Sequence, residues 1–423
     1  MSQSEKVNKG SGEGKTQDMA IFSPPVVRSG AGALNRALFT KTVNLAAAAV
    51  NDNQPDTWGT ALKEGVEKKE LDVIPYELKL DYDYWSYHDI ITSILPEELH
   101  DDIPSGFNTA GHVAHMNLRE RYIPYKKVIA ELILDKTQNI RTVINKVDNV
   151  GAESEFRTFQ YEVLAGPDDM QVQVTENNCV FEFDYAKVYW NSKLEAEHRR
   201  LINMFEPGEV VCDVMAGIGP FAVPAGKKGV FVWANDMNPE SNKYMQVAIN
   251  RNKVSQYVRP FCQDGRTFIH HAADSVLEAH KASEHVLIAP KPPSRAKKAP
   301  KPEPKRVDIP PTISHFVMNL PATAIEFLGC YRGVYAGHED LFEGGKLMPM
   351  VHVHCFSFKA DDETPRNDIC ERITKYLGFK VKPGNPDVEG EVAVHDVRDV
   401  APAKRMFCAS FRIPREAAFA KRD

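Results

Sequence analysis

Apolar residues recur with two different periods along this chain, and where the period changes the chain divides. From Lys193 onward, short apolar runs at 210–214, 230–234, 258–262, 315–319 and 350–358 alternate with amphipathic stretches of helical period. Strand and helix in such succession predict an α/β fold, a mostly parallel sheet with helices on both faces. The last apolar runs, Val392–Val394 and Met406–Ile413, have no helical stretch between them and predict a terminal antiparallel hairpin. Upstream, residues 106–188 alternate strand-like runs (112–118, 140–147, 158–164, 180–183) with one amphipathic helix near 126–134, the pattern of a small α/β module. Before it, residues 70–104 hold a helical pattern, carried by Tyr82, Tyr84, Trp85, Ile90, Ile91, Ile94 and Leu95, that stops at Pro96; proline has no N–H to continue a helix.

Two segments lie outside this rhythm. Residues 1 to about 20 are rich in Ser, Gly and Lys and nearly without apolar content, which predicts disorder. Met19–Val50 has no acid but carries Arg28, Arg36, Lys41 and an alanine run at 46–49, a composition that suits a mitochondrial transit segment and equally a disordered tail leading into a helix. Residues 291–306 hold five prolines and seven basic residues against one acid. Such a stretch forms no core and predicts a surface insertion, spanning about 281–310. The division expected is therefore a tail at 1–50, an N-terminal module at 51–104, an α/β domain at 105–190 and the parallel-sheet domain at 191–423.

Composition narrows the class only a little. Hydrophobic residues make up 43 % and charged residues 26 %, ordinary for a globular enzyme. No apolar run approaches the ~20 residues of a membrane-spanning helix. The seven cysteines are scattered and odd in number, which argues against a disulfide framework and for a reducing compartment. A net charge of −6 argues weakly against a nucleic-acid partner, but a sum does not say where charge lies.

The strongest local signal is VVCDVMAGIGPFAVPAG at 210–226. A strand ends at Asp213, a turn with Gly217 and Gly219 follows, and Pro220 can open a helix. Alone this also fits a dinucleotide fingerprint. Asp236 follows the second strand, where a carboxylate can accept hydrogen bonds from both ribose hydroxyls. Asp264 follows the third, within reach of an adenine amino group. Acids closing three successive strands face one crevice, because ligands of open α/β sheets bind beyond the carboxyl ends of the strands. S-adenosylmethionine carries a sulfonium and no phosphate, and an acid four residues before the first glycine suits it better than a dinucleotide. No metal is predicted: His112, His115, His352 and His354 have no third ligand at suitable spacing.

On a helix beginning near Lys193, Leu194, Leu201, Ile202 and Phe205 form the apolar stripe, with His198 inside it and Glu197 at its edge. Polar residues on the buried face of a helix beside a cofactor strand need a reason. Together, KVYWNSKLEAEHRRL (187–201), DVMAGIGPF, NDMNP, MNLP (318–321), GHVAHMNLRERY (111–122) and FRTFQYEVLAG (156–166) resemble the archaeal/eukaryotic-type tRNA (guanine-37 N1)-methyltransferase family, in a fungal or other lower-eukaryote form. The resemblance runs from about Tyr82 to Pro414. It implies a class I, Rossmann-like domain, S-adenosylmethionine as methyl donor and tRNA as substrate, gripped at the anticodon stem-loop and by its overall L-shape, with the enzyme a monomer in cytoplasm, nucleus and a mitochondrial pool.

Residue by residue, the resemblance implies Glu197 as general base and Arg157 as the residue that steadies charge on guanine O6. Asn319 and Tyr189 would position the base. His198, Asp236, Met237, Asp264, Gly265 and Asn319 would hold the cofactor, with Asp213, Gly217 and Gly219 beside it. Lys193 stands where many members have arginine, trading a bidentate contact for a point charge. Residues 105–190 would touch RNA, and Arg119, Arg121, Lys126 and Lys127 supply a basic density suited to phosphate. The chemistry agrees: guanine N1 keeps its proton at neutral pH, so a base raised in pKa by burial is needed to remove it, and negative charge then gathers on O6. The alternatives are a related transferase alkylating another RNA base, a dehydrogenase on the same glycine turn, and a tRNA-binding protein without catalysis.

Overall fold

The computed structural model describes residues 20–28, 32–48, 73–147, 156, 158–288 and 303–422. The chain forms two units: residues up to 108 with 112–146 and 161–168, and 109–111 with 147–160 and everything from 169 onward.

In the first unit, Lys41–Ala48 (β1) pairs antiparallel with Val73–Leu80 (β2), Val43 opposite Leu78. Neither strand is what the sequence predicts. The alanine run, expected in a tail, closes β1, and β2 was expected within a helical pattern although Leu78 and Leu80 alternate inward as a strand requires. The helix begins only at Tyr87–Ile94 (α1). Ser86 and Asp89 form a capping box there, each side chain accepting the other's backbone N–H. The cationic residues of the expected transit segment are built into this unit. The Arg28 guanidinium donates to the carbonyls of Thr92, Ser93 and Leu95, and Arg36 pairs with Asp135 at 2.7 Å. Disorder therefore does not extend through 1–50; residues 1–19 lie outside the described residues. Val113–Met116 (β3) and Thr142–Lys146 (β4) are parallel, joined by Lys126–Lys136 (α2), and Tyr161–Ala165 (β5) joins β4 antiparallel. One apolar core, including Phe39, Trp85, Ile91, Ile129 and Val143, serves this whole unit. The modules expected separately at 51–104 and in the first part of 105–190 thus share one interior.

The second unit opens with a hairpin, Gln171–Glu176 (β6) and Cys179–Asp184 (β7), turned by Asn177 and Asn178 at φ of 47° and 60°. Left-handed asparagines suit a tight hairpin turn. Helix Glu195–Met204 (α3) follows. Then come Val210–Asp213 (β8), Ala222–Lys228 (α4), Phe231–Asn235 (β9), Pro239–Arg251 (α5), Val258–Phe261 (β10) and Gly265–Lys281 (α6). His285–Ile288 (β11) and Lys305–Asp308 (β12) form an antiparallel ribbon, and residues 289–302 of the expected insertion lie outside the described residues. His315–Met318 (β13), Met350–Phe358 (β14), Thr364–Leu377 (α7), Lys382–Pro383 (β15), Glu391–Ala401 (β16) and Lys404–Arg412 (β17) complete the unit.

Its eight-stranded sheet has the order β10-β9-β8-β13-β14-β17-β16-β15. The first five strands run parallel and β14, β17 and β16 pair antiparallel, as the apolar pattern predicts. Strands β8 and β9 are buried along their whole length, so their sequences are apolar runs rather than alternations. Parallelism has one decisive effect. It brings the carboxyl ends of β10, β9, β8 and β13 to the same edge, and with them Asp264, Asp236, Asp213 and Asn319.

Candidate active site

A cavity opens at that edge. Its wall includes Gly217, Asp236, Met237, Asp264, Gly265 and Asn319, together with Tyr189 and His198. The turn after β8 needs its glycines: Gly217 and Gly219 have φ of 57° and 92°, and a Cβ on Gly219 would lie 2.9 Å from a Val223 methyl. Pro220 lies in this turn rather than opening α4, whose first residue is Ala222. Asp236 holds the turn closed, one oxygen accepting from the Gly217 amide at 2.8 Å and the other from Asn238 at 2.9 Å. Asp264 caps α6 through the Arg266 amide at 2.7 Å. Arg266 lies over the Phe327 ring at 3.9 Å, and both line the cavity.

Asp213 is fully buried and unlike its neighbours. Neither carboxylate oxygen makes a hydrogen bond of normal geometry, so burial and the nearby Asp236 push its pKa up to about 8, the Met215 amide offsetting this only in part. A buried acid without donors is costly unless a cation meets it. Asn319 also leaves a buried side-chain oxygen without a partner. Asn319 thus presents an acceptor on the cavity wall, and Asp213, not itself on that wall, is a buried charge-seeking carboxylate next to Val214, which is; together they suit a cationic nucleoside.

Glu197 departs from expectation. It is buried on α3, as its place on the stripe suggests, but it does not line the cavity. Arg200 holds it with two hydrogen bonds, at 2.7 and 2.8 Å, and His354 of β14 approaches at 2.8 Å. Burial alone would push its pKa up; the two cations outweigh burial and hold it far below the usual carboxylate range. The raised pKa expected of a buried base is therefore not what the surroundings of Glu197 produce. Burial lowers His354, but the Cys408 sulfur and the Glu197 carboxylate outweigh it and raise His354 to about 10. Ligand atoms of Glu197, His354 and Cys408 lie within 4.8 Å of one another. Arg200 shares the same carboxylate through its two hydrogen bonds.

Of the remaining candidates, Arg157 lies outside the described residues and Lys193 is exposed on the turn before α3. Arg119 and Arg121 share Asp102, and Lys126 pairs with Glu162 at 2.6 Å, so a phosphate would have to compete for all three; Lys127 is exposed. Asn235 escaped the sequence reading. Buried at the end of β9, its amide donates to the carbonyls of Val214 and Gln263 and accepts from the Gln263 N–H.

The chain is 83 % identical to a tRNA (guanine(37)-N(1))-methyltransferase of Neurospora crassa across the full length of both. It belongs to that family. Relatives of the same name are 55 % identical in Fusarium vanettenii, covering 96 % of this chain and 98 % of that one, and 48 % identical in Schizosaccharomyces pombe, covering 84 % and 79 %. Residues 87–169 match the TYW2 N-terminal domain and 172–291 the TRM5/TYW2 methyltransferase domain. The fold is that of Trm5b from Pyrococcus abyssi, with a TM-score of 0.55 and 22 % identity over 87 % of this chain and 98 % of that one. Membership makes the chain a methyltransferase acting on tRNA, and the cavity beyond β8, β9 and β10 the place to look for its donor.

Proposed function

We propose that S-adenosylmethionine is the methyl donor and that it binds in the cavity at the carboxyl edge of the sheet. The chain transfers a methyl group to N1 of guanosine 37 in tRNA. The single observation that carries the donor assignment is Asp213, a buried carboxylate with no proper donor and a raised pKa, one residue from the cavity wall at Val214, whose charge a nearby sulfonium would offset as no phosphate could. When bound, the cofactor supplies an electrophilic methyl on sulfur. Asp236 and Asp264 bind its adenosine through hydroxyls and the exocyclic amine, and the Gly217–Gly219 turn lets backbone approach closely.

N1 lies on the Watson–Crick edge, so the anticodon-loop guanine must leave its stack to reach the cavity. The unpartnered Asn319 oxygen can accept from that edge, and Tyr189 borders the same space. Glu197 is the proposed base, with Arg157 offsetting charge on O6. Glu197 is paired twice over, so it takes the N1 proton only when the guanine draws it from Arg200 or His354. The test is transfer of labelled methyl from S-adenosylmethionine to tRNA transcripts carrying G, A or U at position 37. Label confined to the G transcript, and released as 1-methylguanosine on digestion, supports the reading; equal label on all three refutes it.

A further inference from the structure

A buried carboxylate outside the cavity controls a ring inside it. Glu176, the last residue of β6, has 5 % of its surface exposed, and His198 on α3 has 3 %. They meet at 2.5 Å, His198 Nδ1 against Glu176 Oε1. Glu176 does not line the cavity; His198 does, with its ring edge-on to Phe221 at 4.7 Å. A carboxylate only accepts, so Nδ1 carries the hydrogen, and this single contact fixes both the tautomer and the orientation of the ring. Nε2, on the far side of the ring, makes no hydrogen bond with any described residue and is left for a ligand.

The carboxylate is firmly placed. The two left-handed asparagines force the hairpin to turn directly after Glu176, and the Asn177 amide lies 3.4 Å from Oε1. Asn252, capping α5, ties the facing strand down by accepting from Val180 N–H at 3.0 Å and donating to its carbonyl at 2.8 Å. A hairpin so anchored delivers Glu176 to α3 as a rigid support, the arrangement that holds functional imidazoles elsewhere.

The sheet order says which part of the ligand His198 meets. Asp264, Asp236 and Asp213 close β10, β9 and β8 in that order, at about 4.8 Å per strand. A nucleoside with its adenosine over the first two ends toward β8, and the turn after β8 carries Phe221, whose ring lies 4.7 Å from that of His198; both line the cavity. We propose that Glu176 is a positioning residue that holds His198 so that Nε2 engages the amino-acid end of the cofactor. This rests on the donor assignment above and extends it to a residue outside the cavity.

Two nucleosides separate this role from simple structural support. S-adenosylhomocysteine has the amino-acid end, and 5′-methylthioadenosine lacks it. By calorimetry on the full chain, Glu176→Ala should weaken S-adenosylhomocysteine about tenfold, one hydrogen bond to a charged or zwitterionic group, and leave 5′-methylthioadenosine unchanged. Glu176→Gln, whose amide oxygen still accepts from Nδ1, should recover most of the loss. Combining Glu176→Ala with His198→Ala should cost no more than His198→Ala alone. Equal loss for both nucleosides would mean that Glu176 merely supports the fold, and no loss for either would overturn the inference. Wild-type protein that bound neither nucleoside would remove the donor assignment itself.

Discussion

Replacing Glu197 by glutamine separates its electrostatic role from its chemical one. The variant keeps the side-chain shape but removes the negative charge shared by Arg200 and His354, and it turns an amide N–H₂ toward groups that only donate. Breaking a buried ion pair from one side costs about 3–5 kcal/mol. Arg200 retains 27 % side-chain exposure and can turn to water, whereas His354 is sealed, so the lower end is expected. At roughly 2–4 °C per kcal/mol for a unit of this size, about 3 kcal/mol lowers the Tm of the methyltransferase unit by roughly 6–12 °C. The loss should depend on pH with a definite sign. His354 is raised from 6.5 to about 10, so its contribution is complete below 6.5 and fades as pH climbs toward 10. Glu197 is lowered, so its contribution is present above 4.5 and is lost only in acid. The Tm gap between wild type and Glu197→Gln should therefore be widest between pH 5 and 6.5 and narrow toward pH 10. Single-turnover methyl transfer at saturating substrates, measured well below the lowered Tm, should fall about 10²–10⁴-fold if the same carboxylate takes the N1 proton. An unchanged Tm would refute the ion cluster, and an unchanged rate with the expected Tm loss would leave Glu197 purely structural.

Asp213→Asn should weaken S-adenosylmethionine binding while raising stability increasingly from about pH 4 and in full above pH 8, since a carboxylate whose pKa is raised from 3.8 to about 8 costs folding energy across that interval. In wild type, affinity for the sulfonium should climb with pH up to about 8, and affinity for neutral-sulfur S-adenosylhomocysteine should climb less; parallel titrations show whether the two curves differ. Asp236→Ala should weaken the cofactor by about 1–3 kcal/mol, because ribose hydroxyls lose a charged acceptor and the Gly217 amide loses its anchor, with tRNA binding by filter assay little changed. Replacing 289–302 by a two-residue turn between β11 and β12 should alter stability by no more than about 2 kcal/mol, as the length of a connection enters only logarithmically, and chemical denaturation reads this directly.

What could be read from the residues follows from how locally each feature is encoded. The strands at 210–213, 231–235 and 315–318 are apolar because both faces are covered, and such runs stand out unaided. The glycine turn and the three acids lie within 52 positions of chain, each directly after its strand, so topology alone brings them together. Glu197 was legible as a polar residue on a buried face, but not its partner: His354 lies 157 positions away on a strand whose alternation reads simply as core. Strand β1 was missed because alanine carries no strand preference, and its pairing is decided by β2 across an interval that local pattern does not bridge. Strand β6 was missed although QVQVTE alternates cleanly and an Asn-Asn turn follows, a signal present in the sequence but overshadowed by its polar content. Arg119, Arg121, Lys126 and Lys127 read as a basic density suited to phosphate; Asp102 and Glu162, which pair with three of them, come from other segments.

Asn235 ties the residue after β8 to the residue before Asp264 with three hydrogen bonds from one buried amide. Two loops that would otherwise fluctuate separately are thereby one mechanical piece, already shaped before any nucleoside arrives. Ordering a loop on binding costs roughly 1–2 kcal/mol for each backbone residue fixed, and this site has spent that during folding instead. Cofactor association should accordingly be fast and nearly free of conformational relaxation, a single exponential in stopped flow. Asn235→Ala should convert it to a slow, two-phase process even where the final affinity is largely retained.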